Sequence, residues 1–192
     1  MFVSYIIQPL SARGKRNVPQ QVWHLARRPA KARGRPCHFG PLPFGTLALR
    51  IAFASDHAAV ALKALLVAHA EALGHTVVDL GPDSEARVDY PDFGYKLARA
   101  IAAGEAERGV ALCGSGIGIS IAVNREPACR CALVGEPLSA MLARQHNDAN
   151  VLAMGARLIG PDLAKACLEA FLATPFEGGR HQHRVDKLAR KD

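Results

Sequence analysis

Val110-Ala-Leu-Cys113-Gly114-Ser115-Gly116-Ile117-Gly118-Ile119-Ser120 runs from apolar residues into a cysteine, then through three glycines at alternate positions, then into a helical pattern. Such a passage reads as a buried strand, a tight turn and the first turn of a helix. Glycine lets the main chain come close to a ligand, and the N–H groups of the turn lack helical partners. The helix N-terminus adds partial positive charge, so the loop suits a phosphate, a carboxylate or a developing oxyanion. Cys113 at its lip separates this loop from an ordinary nucleotide cradle. An arbitrary cysteine is most often an inert core residue, but a thiol beside free N–H groups and a helix N-terminus is biased toward the thiolate, which acts as base or nucleophile.

The spacing excludes two nucleotide folds. G-x-G-x-G is not the dinucleotide G-x-G-x-x-G, it follows the third strand instead of the first, and Glu136 near the end of the next strand does not repair it. The P-loop pattern G-x-x-x-x-G-K-[ST] is absent from the sequence.

Outward from this loop, strand and helix patterns alternate. Strands are expected at 49–54, 76–80, 110–113, 131–134 and 150–154, with helices at 58–73, 91–106, 117–123, 138–145 and 161–173 and a basic helical tail from about 183. Gly74, Pro91, Pro127, Pro161 and Pro175 mark the boundaries. Short connections between nearly continuous apolar strands predict an α/β fold: one Rossmann-like domain with a five-stranded parallel sheet and helices on both faces. Ligands of such sheets bind outside the carboxyl ends of the strands. Ser55-Asp56-His57, Cys113-Gly-Ser-Gly and Arg157 fall there, whereas His146-Asn147, just before the last strand, reaches that rim only if its loop folds back.

Residues 1–48 read differently. Their arginines, lysines and prolines carry no sustained periodicity, and three readings stay open: a disordered tail, translated upstream sequence from a misplaced start, or a targeting presequence. Residues 1–50 hold nine Lys/Arg and no acidic residue, so of the net +7 the rest of the chain carries about −2. The basic balance therefore argues neither for nucleic acid nor for a membrane surface as a partner of the domain, and binding of either by the front segment is a separate possibility. The five cysteines (37, 113, 129, 131 and 167) show no C-x-x-C pair and no zinc spacing, which fits a reduced, cytoplasmic setting. No apolar run approaches the roughly 18–20 residues that span a bilayer.

Taken singly, the polar residues have plain readings: Asp56 as a helix cap, His146 as a helix terminus, Arg157, Arg180, His181 and Arg184 as solvated charges. Together they resemble a known family. Ala52-Phe53 with Asp56-His57, Asp89-Tyr90-Pro91, the Cys113–Ser120 loop, Ile121-Ala-Val-Asn124, Arg144-Gln-His-Asn-Asp148 with Asn150-Val-Leu, and Glu177-Gly-Gly-Arg-His181 are similar to ribose-5-phosphate isomerase B, a family that includes allose-6-phosphate and galactose-6-phosphate isomerases. The resemblance covers about residues 49–190.

It implies a cofactor-free, metal-free aldose–ketose isomerisation of a phosphorylated sugar through an enediolate. Cys113 would be the base, because the glutamate that some members place shortly after the glycine loop is Ile119 here. Ser115 would shuttle a proton between O1 and O2, and His146 would assist ring opening. The N–H groups of Gly114, Ser115, Gly116, Ile117 and Gly118 would form the oxyanion site. Asp56 and Asn147 would hold sugar hydroxyls, Tyr90 would line the pocket, and His57, Arg157, Arg180, His181 and Arg184 would hold the phosphate. The resemblance also implies a homodimer with shared sites, or a dimer of dimers. Ribose 5-phosphate and ribulose 5-phosphate are the expected pair; a six-carbon sugar phosphate and a non-catalytic phosphosugar-binding module are the rivals.

Overall fold

The computed structural model describes residues 48–189, so the expectations for the basic front segment lie outside the described residues. The elements alternate as the sequence pattern predicts. They are β1 (Arg50–Ser55), a 3-10 turn (His57–Ala59) leading into α1 (Val60–Ala72), β2 (Thr76–Asp79), α2 (Tyr90–Ala102), β3 (Arg108–Cys113), α3 (Ile117–Val123), β4 (Cys131–Leu133), α4 (Pro137–Asn147), β5 (Val151–Gly155), α5 (Pro161–Ala173), a second 3-10 turn (Gly179–His181) and α6 (Gln182–Leu188).

All five strands pair in parallel, in the order β2-β1-β3-β5-β4. Right-handed crossovers send helices of opposite stepping direction to opposite faces. The β1-to-β2 and β4-to-β5 steps run one way and the β2-to-β3 and β3-to-β4 steps the other. Accordingly α1 and α4 share one face with α5, and α2 and α3 pack on the other. The strand pleat sorts side chains between the two layers. Ile51, Phe53, Val110, Leu112, Leu152 and Met154 form the larger core, and Ala52, Ala54, Ala111, Cys113, Val151 and Ala153 the smaller. Cys113 is thus the last residue of a buried strand, at the top of the layer beneath α2 and α3.

Several boundaries differ from the sequence expectation, each for a local reason. The second helix stops at Ala102 instead of 106 because Gly104 turns to φ +72 and donates its N–H to the Ile101 carbonyl at 3.1 Å. α4 runs two residues past 145 and ends at Asp148, which adopts a left-handed φ of 45 and pairs with Arg130 at 2.7 Å and Arg144 at 2.8 Å. Asn150 precedes β5 because its amide pins the chain ahead of β4: it accepts from the Arg130 N–H and donates to the Ala128 carbonyl, both at 2.8 Å. Asn124 does the same for edge strand β4, accepting from the Cys131 N–H at 2.8 Å and donating to its carbonyl at 2.9 Å. A side-chain amide here stands in for a missing neighbour strand.

Strand order reverses at the β1–β3 boundary, where the connection after β1 runs to one side and the connection after β3 to the other. That crevice is where a sheet of this kind receives a ligand.

Candidate active site

Three strand ends build the wall of the crevice. Ala156 and Arg157 donate their N–H groups to the Cys113 and Gly114 carbonyls at 2.9 and 3.0 Å, tying the loop after β5 to the loop after β3. On the other side, the Asp56 N–H donates to the Leu112 carbonyl at 3.0 Å. Asp56 is buried, and its Oδ1 accepts the Ala58 N–H at 2.9 Å, so the capping role is real. Its second oxygen is engaged by no described residue. His57 Nδ1 lies 3.3 Å from the Val88 N–H and 3.2 Å from the Val88 carbonyl, so either neutral tautomer is held there and Nε2 is the outward nitrogen.

Within the nest, Gly116 sits at φ +75, and a Cβ on it would lie 2.5 Å from Leu133 Cδ1 and 2.7 Å from the Met154 carbonyl carbon. Only glycine fits there. That conformation turns the Gly116 N–H onto Cys113 Sγ at 3.1 Å, while the Ile117 N–H donates to Ser115 Oγ at 3.3 Å. Of the five N–H groups expected to face an oxyanion, two are therefore engaged inside the loop. Those of Gly114, Ser115 and Gly118 meet no described acceptor. The Arg157 guanidinium lies against Gly114, 3.4 Å from where a Cβ would stand, and the Tyr90 ring lies on Gly118 so closely that a Cβ there would meet it at 2.5 Å. Cys113, Ser115, Asp56, His57, Tyr90 and Arg157 thus converge on one crevice. Ile119 is fully buried in the smaller core, packed against Gly94 of α2.

The remaining candidates do not join them within one chain. Helices run antiparallel to the strands they follow, so the last turn of α4 lies at the opposite end of the sheet. The Asn147 and Asp148 carbonyls accept from Arg130 Nε at 3.1 and 2.9 Å, and Arg130 immediately precedes β4. Cys113 pairs with Gly155 at the far end of β5. Five strand residues separate the two levels by roughly 13 Å. The loop before the last strand does not fold back, because the Arg130 and Arg144 ion pairs hold Asp148 where it is.

His146 instead belongs to a second cluster. Its ring stacks on His181 with centroids 4.3 Å apart and planes within 5°. Glu177 Oε2 lies 4.0 Å from His146 Nε2 and 3.6 Å from His181 Nε2. Arg180 Nε donates to His181 Nε2 at 3.2 Å, which makes that nitrogen an acceptor. His181 is buried, and burial lowers its affinity for a proton, reinforced by the charges of His146, Arg180 and Arg184 and opposed by Glu177. The three ligand-type atoms of His146, Glu177 and His181 lie within 4.8 Å of one another. Two parallel stacked imidazoles cannot both aim a lone pair at one ion without rotating, and Arg180 already occupies one of them. The cluster is suited to an anion and to proton exchange more than to a metal.

The sequence reading assigned Glu177 and Arg144 no role. Arg144, buried, donates to Asp148 Oδ1 at 2.8 Å, to the Ala149 carbonyl at 2.6 Å and to the Thr174 carbonyl at 3.3 Å. It clamps the end of α4 to the segment that carries Glu177, Arg180 and His181. Both residues stood in the quoted motifs, but only the contacts distinguish them from solvated charges.

A family model for ribose/galactose isomerases matches residues 51–188. The chain belongs to this family. It is 47% identical over 139 residues to ribose-5-phosphate isomerase B of Escherichia coli K12, covering 72% of this chain and 93% of that protein. It is 42% identical over 142 residues to a D-erythrulose-4-phosphate isomerase of Pectobacterium atrosepticum, covering 73% and 93%. Among solved structures, a ribose 5-phosphate isomerase from Thermotoga maritima superposes with a TM-score of 0.72 at 47% identity, over 73% of this chain and 97% of the other. This member of the ribose/galactose isomerase family is an aldose–ketose isomerase acting on a sugar phosphate. Among the described residues, no helix is long and apolar enough to cross a membrane.

Proposed function

We propose that this chain interconverts ribose 5-phosphate and ribulose 5-phosphate through an enediolate, in a site made by two copies. The observation that carries the reading is the Gly116 N–H donated to Cys113 Sγ at the mouth of a glycine nest. Such a contact holds the sulfur at the lip of the nest, and the unengaged N–H groups of Gly114, Ser115 and Gly118 receive the charge that develops on the sugar.

The chemistry balances without an external oxidant. With the sugar open, the Cys113 thiolate removes the C2 proton while electrons move onto O1, giving the enediolate. Ser115 Oγ transfers the O2 proton to O1, and the Cys113 thiol returns its proton to C1, leaving a ketone at C2. One proton moves from C2 to C1 and one from O2 to O1, so no redox cofactor is consumed. Asp56 and Tyr90 hold and line the sugar, and His57 and Arg157 face the phosphate.

His146 and Asn147 open the ring and hold hydroxyls, and Arg180, His181 and Arg184 complete the phosphate grip, in the crevice of a second copy. Two observations support the shared site. The His146 cluster and the Cys113 nest lie at opposite ends of one sheet. Beside the nest, Ile117, Ile121 and Leu133 are each about half exposed, an apolar surface that a second copy would cover. The free Cys113, Cys129, Cys131 and Cys167 fit the cytoplasmic setting read from cysteine usage.

A turnover assay of the purified protein with ribose 5-phosphate tests the reading, with erythrulose 4-phosphate and allose 6-phosphate in parallel. Ribulose 5-phosphate formation is expected. The Pectobacterium relative makes a four-carbon substrate the second reading, and preference for it or for the six-carbon sugar would replace the pentose. Binding without turnover on any of the three would overturn the isomerase mechanism.

A further inference from the structure

We infer that Glu177 is a positioning residue for ring opening: its carboxylate holds the stacked His146–His181 pair in the state that handles the ring-oxygen proton. This rests on the ring-opening role proposed for His146.

Glu177 is placed by its main chain, whose N–H donates to the Gln145 carbonyl at 3.1 Å, one residue before His146. Its Oε2 then lies between the two Nε2 atoms, 3.6 Å from His181 and 4.0 Å from His146. Around His181 the other facing charged groups are His146, Arg180 and Arg184, and all three oppose its protonation; Glu177 alone favours it. Stacked on His146 at 4.3 Å and beside two arginines, His181 holds a proton weakly. A single carboxylate beside the two nitrogens offsets that repulsion. Arg180 Nε fixes His181 Nε2 as an acceptor, so the carboxylate's effect falls on His146. Glu177 itself is half exposed and makes no side-chain hydrogen bond to another described residue within the core, so removing its charge leaves the packing intact.

Glu177→Gln in the full chain tests this, because the two halves of the reaction can be read separately. Turnover of ribose 5-phosphate requires ring opening. Exchange of a C1 hydrogen of ribulose 5-phosphate with deuterated solvent does not, since that ketose has no furanose to open and the exchanging proton is carried by Cys113. The expected result is a fall of about tenfold to a hundredfold in ribose 5-phosphate turnover, with C1 exchange within about twofold of wild type. Thermal unfolding of the variant at the wild-type midpoint shows that the loss is not one of folding. Equal loss of both rates, or no loss of either, overturns the positioning role while leaving the isomerase reading intact. A wild-type chain that neither turns over ribose 5-phosphate nor exchanges the ribulose hydrogen overturns both.

Discussion

The Gly116 N–H points at Cys113 Sγ across 3.1 Å, and it does so only because Gly116 occupies a left-handed turn that closes the loop back on the strand end. Sulfur, strand end and helix start are thereby locked as one unit. Gly116→Ala is expected to break it. The backbone strain alone costs about 1–2 kcal/mol, and the new methyl collides with Leu133 and the Met154 main chain. Denaturant titration should show the destabilisation, and turnover should fall with it.

Cys113→Ala is expected to lower isomerase turnover by about 10²–10⁴-fold while leaving phosphosugar binding, measured by calorimetry, nearly unchanged. Cys113→Ser keeps the hydrogen-bond geometry but offers a far weaker base, so it should fall almost as far. Loss of binding in step with turnover would show that the thiol packs the loop instead of moving a proton.

Because the Cys113 nest and the His146 cluster sit at opposite ends of one chain, two dead variants should rescue each other. Cys113→Ala and His146→Ala protein, unfolded and refolded together, form mixed dimers with one intact site each. Random pairing returns about a quarter of wild-type activity. Activity no greater than that of the separate variants would place both groups in one chain's site.

His181 is buried, and burial with neighbouring positive charge lowers its pKa from the ordinary value near 6.5. The folded state then binds fewer protons than the unfolded chain. Its contribution to stability is therefore present above the unfolded pKa and lost as pH falls through the folded one. Thermal midpoints should drop on acidification below about pH 6.5, and His181→Gln should flatten part of that slope. His75, lowered by burial alone, contributes with the same sign.

Arg144→Met should cost roughly 1.5–3 kcal/mol, the range for losing hydrogen bonds made by a charged group. Asp148 keeps Arg130, but the Ala149 and Thr174 carbonyls lose their donor. The segment from Thr174 to His181 should show increased amide hydrogen exchange before the sheet does.

The strands and helices were legible because burial imposes periodicity: residues such as Ile51, Phe53, Val110 and Leu112 repeat with the pleat, and Gly74, Pro91 and Pro161 interrupt the pattern where helices end or begin. Boundaries slipped where a single long-range contact decided them. Asp148 closes α4 where Arg130, 18 residues earlier, joins Arg144 on its carboxylate, and the sequence around the helix end does not announce Arg130. Glu177 and Arg144 escaped notice for the same reason, since a charged residue in a loop or on a helix looks solvated until its partners are known.

The order of apolar and turn residues by itself determined the alternation of strand and helix, the parallel sheet and the glycine nest with its cysteine, because these depend on neighbours a few residues apart. The strand-end groups His57, Cys113 and Arg157 were already legible as neighbours; that the loop carrying His146 does not fold back to them, and that Glu177 joins it, was decided by the tertiary structure. Parallel strands with antiparallel return helices carry every strand end to one edge of the sheet and every helix end to the other. That geometry places His57, Cys113 and Arg157 together and sends His146, Glu177 and His181 to the far side, whatever their nearness in the sequence.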